Sequence, residues 1–136
     1  MRVETERMYL YPLSDEEMRL VIEKESDPEM KQAYTEMLEG SLSHPDNRIW
    51  YAVWNMELKN APGTIVGDFC FKGLGKDGVV EIGYGLREEF RHHGYMVETV
   101  KVKVLAKRDG FKGFPGTVFP FLCTVLAYLL LYYQGI

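Results

Sequence analysis

The chain has 136 residues, a formal net charge of −4 and a hydrophobic content of 46%, the profile of one soluble globular domain with room for a real core. The acidic balance argues against nucleic acid as a partner, although a local basic patch beside an anionic ligand remains compatible with it. Cys70 and Cys123 do not make a disulfide framework, and no N-terminal signal segment is seen, so a reducing cytoplasm is the expected compartment.

Taken in order, Thr5 to Tyr11 alternates around Met8 and Leu10 and predicts a first strand, closed by Pro12. Ser14-Asp15-Glu16-Glu17 is a capping box: the Ser14 hydroxyl can accept a free N–H while Glu17 reaches back. Met18, Val21 and Ile22 then form an apolar face at helical spacing. Asp27-Pro28 repeats the start signal, with a cap residue ahead of a proline at the first helical position. The stripe Met30, Tyr34, Met37, Leu38 and Leu42 carries this second helix to about Ser43.

Ile49 to Met56 is rich in aromatics and reads as a buried strand, broken by Asn60-Ala61-Pro62-Gly63. Thr64 to Lys72 is the next strand, and Lys76-Asp77-Gly78 supplies a hairpin turn, since Asp-Gly tolerates the positive φ angles required there. Val79 to Leu86 returns as the partner strand. After Met96, Val97, Val100 and Val104 fall on one helical face, which predicts a helix. The alternation Lys101-Val102-Lys103-Val104 and the β-branched content leave a strand as the competing assignment.

The chemistry centres on Glu81 to Met96. A glycine-interrupted strand runs through a short charged link into Arg91-His92-His93-Gly94-Tyr95-Met96 and then the expected helix. A glycine turn at a helix start aims several unpartnered amides at one spot, a place suited to phosphate. Gly94 would let main chain approach closely; the plainer reading is an ordinary loop glycine. The adjacent His92 and His93 diverge and have no third ligand near them in sequence, so no metal site is expected.

The order strand, helix pair, antiparallel meander, glycine turn and helix resembles the GNAT N-acyltransferase superfamily. The resemblance is carried by Arg91-His92-His93-Gly94-Tyr95-Met96, which matches the pattern Arg/Gln-x-x-Gly-x-Gly/Ala, after the strand Glu81-Ile82-Gly83-Tyr84-Gly85-Leu86. With Thr5-Glu6-Arg7-Met8-Tyr9-Leu10 it is similar to the ribosomal-protein and small-amine acetyltransferase branch, over roughly residues 3 to 108.

The resemblance implies an α/β (mixed α+β) fold with a central, mostly antiparallel twisted sheet flanked by helices. It implies acetyl-CoA as co-substrate, no metal, and acetyl transfer to a primary amine: a small amine, an amino acid or a protein N-terminus. By position, the amides of His92, His93, Gly94, Tyr95 and Met96, with Arg91, would hold the CoA pyrophosphate. Met96 departs from the family's Gly or Ala, and would either crowd that turn or point into the core. The family splays and bulges the strand that Gly83 and Gly85 occupy, so the backbone of Gly85 and Leu86 would face the pantetheine arm. The alternative is that these glycines only ease sheet twist.

Glu81 is the general-base candidate, because an attacking amine must lose a proton; Asp68 is a second acidic candidate. Each has a plain alternative as a strand carboxylate. Tyr34, Met37 and Leu38 border the acceptor groove in the family, or are simply core. Cys70, in an apolar strand, is expected as a small core residue.

The resemblance ends after about Lys107. Neither the family's Asn-rich motif nor a closing hairpin follows, and every charged side chain lies at or before Lys112. Two regions are therefore expected: a GNAT-like core over 1–112 and an uncharged hydrophobic tail over 113–136. Val118 to Tyr133 is apolar but shorter than the roughly 20 residues a membrane span needs, and Pro120 interrupts it, so a membrane partner is not expected. A replaced last third, as a shifted reading frame produces, accounts for the abrupt change. A native tail that completes the sheet, drives homodimer formation or anchors at a membrane is the alternative. The functions left open are thus an acetyltransferase, a catalytically inactive acyl-CoA-binding remnant, and a membrane-associated module.

Overall fold

A computed structural model describes residues 2–71 and 82–99. The expected hairpin turn at Lys76-Asp77-Gly78, the general-base candidate Glu81, the continuation of the last helix and the tail 113–136 lie outside the described residues. The described chain is mixed α+β: a five-stranded antiparallel sheet in the order β1-β2-β3-β4-β5, with helices packed on it.

The strands are β1 (Val3–Glu4), β2 (Met8–Pro12), β3 (Val53–Leu58), β4 (Ile65–Phe71) and β5 (Ile82–Leu86). The strand expected over Thr5–Tyr11 begins later, at Met8, and a further short strand, Val3–Glu4, precedes it. Thr5 donates its N–H to the Met8 carbonyl, and its hydroxyl accepts from the Met8 N–H at 2.9 Å, which turns the chain back between β1 and β2. A side-chain hydroxyl that competes with the ladder in this way is the usual reason for threonine in a turn.

Helix α1 (Asp15–Lys24) starts on the expected capping box: Glu17 N–H to Ser14 Oγ at 3.1 Å, and Ser14 N–H to Glu17 Oε2 at 2.7 Å. Helix α2 (Pro28–Ser43) is capped by the Asp27 carboxylate, which accepts from the Glu29 N–H at 2.9 Å.

The strand expected from Ile49 begins later, at Val53, and runs on to Leu58. Pro45 opens a 3-10 helix, Pro45–Trp50, and the Arg48 carbonyl takes the N–H groups of both Tyr51 and Ala52. Trp50 is still buried, because it enters the core from this helix rather than from the sheet. Hydrophobic content alone does not separate those two routes.

Each face of the sheet has its own core. Leu13, Met18, Tyr34, Leu38, Ala52 and Val53 join α1 and α2 to one face. On the other, Met8, Leu10, Trp54, Met56, Phe69, Phe71, Leu86 and Met96 form the larger cluster. A β-bulge between Met56 and Glu57 offsets β3 against β4, so Val66 joins Phe69 and Phe71 in this larger cluster although its parity differs. Residues 95–99 are helical and lie over that face, where the Thr99 hydroxyl bonds the Tyr95 carbonyl at 2.9 Å and contacts Met56 Sδ at 3.3 Å. Among the described residues no helix is long and apolar enough to cross a membrane.

Candidate functional site

β5 leads into the turn through Arg87 and a short 3-10 helix, Glu88–Phe90. β5 pairs with β4 one-to-one, from Gly67↔Leu86 through Asp68↔Gly85 to Phe71↔Ile82. The bulge expected at Gly83 and Gly85 is therefore not there; the bulge of this sheet is at Met56/Glu57. Close approach accounts for Gly67 across the pair, not for Gly85, where a Cβ would meet only Asp68 Oδ1 at 3.7 Å among the described residues. A Cβ on Gly67 would lie 2.2 Å from the Gly85 carbonyl oxygen and 3.0 Å from Leu86 Cα.

The Arg87 N–H bonds the Val66 carbonyl at 2.9 Å. Because main-chain polar groups alternate sides along a strand, Gly85 spends its own on β4, while those of Tyr84 and Leu86 lie on the outer edge of β5. Of the two residues expected to present backbone to a pantetheine arm, Leu86 directs its main-chain groups away from β4 and Gly85 directs its own toward β4.

In the turn, His92 has φ 65° and Gly94 has φ 79°, with His93 between them. Positive φ at two positions so close together turns the main chain sharply here. The hydrogen-bonded turn over Arg91–His92 engages the His93 N–H, while among the described residues no main-chain acceptor is found for the N–H groups of His92, Gly94, Tyr95 and Met96; the flanking bonds are Arg91 N–H to Glu88 O and Glu98 N–H to Gly94 O. Arg91, His92 and His93 are exposed. The His93 ring is held by its Nδ1 contact with the Arg91 carbonyl at 2.7 Å and stacks near Tyr95, with centroids 6.0 Å apart. The Met96 side chain is 1% exposed, inside the core. It points into the core, away from the turn, and does not crowd it.

The turn is fixed from the far end of the sequence. Arg7 Nη2 donates to the His93 carbonyl at 3.0 Å, and its guanidinium carbon lies 4.2 Å from the centre of the Tyr95 ring. Arg7 Nε reaches Glu98 Oε1 at 2.8 Å, its main-chain N–H reaches Oε2 at 3.1 Å, and the Thr5 hydroxyl donates to the same Oε2. Burial works against charge on Glu98, but the donors from Thr5 and Arg7 together outweigh it and hold the carboxyl below its ordinary range. Thr5, Arg7 and Glu98 were not singled out by sequence reasoning as site residues. Their contacts span 91 to 93 positions, which no local periodicity reports.

On the opposite face, Asp68 and Tyr34 are brought together. The Tyr34 hydroxyl on α2 donates to Asp68 Oδ2 on β4 at 2.8 Å. Burial, the Asp68 charge and the bond itself raise the Tyr34 phenol well above its usual range. Burial raises Asp68, the Tyr34 bond lowers it, Glu25 raises it further, and the net direction is upward. Of the other residues expected to border an acceptor groove, Leu38 belongs to the buried core and Met37 packs against it. Cys70 is 7% exposed, as expected of a core residue.

No group of three or more His, Cys, Asp or Glu side chains among the described residues is placed to hold a metal ion. No protein-family model, curated protein or solved structure matches the chain.

Proposed function

We propose that this chain is a GNAT-like, acetyl-CoA-dependent N-acetyltransferase that moves an acetyl group to a primary amine. The observation that carries the reading is the set of N–H groups of His92, Gly94, Tyr95 and Met96, without main-chain acceptors among the described residues, across a turn with positive φ at His92 and Gly94. Such a set suits a pyrophosphate, and the exposed Arg91 guanidinium adds charge beside it. The main-chain groups of Leu86, directed away from β4 on the same strand, suit an extended amide-containing arm.

Acetyl-CoA would supply an activated thioester carbonyl. The acceptor nitrogen forms the new C–N bond as the C–S bond breaks, and the departing thiolate takes up a proton. The chain contributes position, through the turn and the edge of β5, and a carboxylate to receive the proton lost by the amine. Glu81 is proposed for that base by its place in the resemblance, with Asp68 as the second acidic candidate.

Calorimetry with acetyl-CoA tests the reading: binding with a Kd below about 1 mM is expected, the range in which working substrates fall. Absence of heat at saturating ligand would overturn it. The second reading, an acyl-CoA-binding remnant, is favoured by the absence of the Asn-rich continuation after Lys107. Release of free thiol in the presence of a panel of amines separates the two, since a remnant binds without turnover.

A further inference from the structure

Directly paired residues on β2, β3, β4 and β5 form a polar row, Tyr11↔Asn55, Asn55↔Asp68 and Asp68↔Gly85. The row lies on the face covered by α1 and α2, whose other contacts are apolar. At its β5 end the row has no side chain. Gly85 is exposed, and among the described residues a Cβ there would meet within 4 Å only Asp68 Oδ1, at 3.7 Å. The two oxygens of Asp68 therefore differ. Oδ2 holds the Tyr34 hydroxyl at 2.8 Å, while Oδ1 has no hydrogen-bond donor among the described residues and borders the open notch over Gly85.

We infer that this notch is the acceptor site, in which Asp68 Oδ1 takes a hydrogen bond from the protonated amino group of a simple alkylamine. The assignment to an acceptor rests on the acetyl-transfer reading; the binding chemistry does not. Tyr34 fixes the carboxylate in one orientation and leaves a single oxygen to the ligand. Asn55, beside it on β3, is polar without adding charge. Glu25 adds negative potential at Asp68 from the end of α1. A cationic group is favoured there, and a carboxylate on the carbon bearing the amine is repelled by both acids. The site thus selects alkylammonium groups over α-amino acids, and over alcohols of the same shape.

The pairing of sheet and turn gives this site its relation to the proposed acyl donor. Leu86, next to Gly85, faces the larger core on the opposite side of the sheet, together with Met96 of the turn. Consecutive residues of one strand thus connect the two faces, with the donor edge and the acceptor notch on neighbouring positions.

The test uses the full chain and three probes: butylamine hydrochloride, norvaline (the same amine with a carboxylate on its amine carbon) and 1-butanol. Amide chemical shifts of Gly85 and Asn55 report on the notch, and calorimetry with acetyl-CoA is run on the same samples. Butylamine is expected to shift both amides saturably, with norvaline and butanol each at least about ten-fold weaker. Asp68→Asn, which keeps an acceptor for Tyr34 but removes the charge, is expected to weaken butylamine by about ten-fold or more, the loss of one charge-assisted hydrogen bond. Gly85→Val fills the notch without altering charge and is expected to abolish butylamine binding, which keeps the test available should Asp68→Asn fail to fold. Equal butylamine affinity in the parent and in either folded variant overturns the inference, as does norvaline or butanol binding as well as butylamine, or a parent that binds no butylamine. If acetyl-CoA binds and butylamine does not, the acceptor site falls while the proposed donor reading stands. If butylamine binds and acetyl-CoA does not, the cation site stands and acetyl transfer falls.

Discussion

Arg7 and Glu98, 91 positions apart, are joined through both Arg7 Nε and its main-chain N–H, at 2.8 and 3.1 Å. One carboxylate thereby ties the turn between β1 and β2 to the helical segment that follows the glycine turn. The Thr5 hydroxyl shares the same oxygen. Removing the carboxylate leaves several donors without their acceptor.

Glu98→Ala is expected to lower unfolding free energy by about 1–3 kcal/mol, the cost of leaving part-buried donors unsatisfied, with the lower end favoured because Arg7 is partly solvated. It should also weaken acetyl-CoA binding, since Arg7 would lose its anchor beside His93. Urea denaturation and calorimetry measure the two effects. Unchanged stability would remove Glu98 from the account of how the turn is held.

The pH dependence of the two carboxylates runs in opposite directions. Glu98 is held below the ordinary glutamate range in the folded chain, so its stabilisation is present at neutral pH and fades as pH falls through its depressed folded value. Asp68 is raised above 3.8, so the folded form binds its proton more tightly than the unfolded one, and Asp68 costs stability as pH rises through that raised value. The stability gap between parent and Glu98→Gln should therefore close below about pH 4. Asp68→Asn should be more stable than the parent at pH 7, with the gap closing on acidification. Thermal melts of the three chains from acid to neutral pH check both signs.

A gain in stability at Asp68→Asn, joined to loss of amine binding, would be the mark of a residue kept for function at a cost to the fold. A loss of stability would make Asp68 structural.

Gly67→Ala is expected to destabilise by about 1–3 kcal/mol or more, as overpacking does, because the new methyl would overlap the Gly85 carbonyl oxygen and Leu86 Cα. Both obstacles are backbone, so the β4–β5 pairing itself must shift. A denaturation midpoint equal to the parent's would show that β5 can move without cost.

Gly63 and Gly94 make a controlled pair, with φ of 86° and 79° and no severe contact awaiting a Cβ at either. Alanine at each should cost about 1–2 kcal/mol from the left-handed conformation alone. Only Gly94→Ala should also reduce acetyl-CoA affinity, because only that turn is proposed to meet the ligand. Equal ligand affinity in both variants would separate the turn from the donor site.

Much of the framework is legible locally. Ser14 with Glu17, and Asp27 with Pro28, start their helices where the spacing predicts, because a cap is a bond between near neighbours. The apolar runs around Ile65 and Val53 identify strands, yet Trp50 misleads, since a buried aromatic has the same signature in a 3-10 turn as in a strand. Gly83 and Gly85 mislead in another way. The strand pairs with β4 without a bulge, and the glycine that close approach requires is Gly67 on the neighbouring strand.

The sequence by itself determined the helix starts, the apolar faces and the candidate turn at Arg91 to Met96, because capping, periodicity and glycine's φ freedom act over a few residues. Tertiary contacts alone bring Arg7 and Glu98 onto that turn, and place the Tyr34 hydroxyl on one oxygen of Asp68 with Gly85 paired across from it on β5. Those relations depend on strand register and on which helix covers which face. Such long-range contacts leave no periodic trace in the order of the residues.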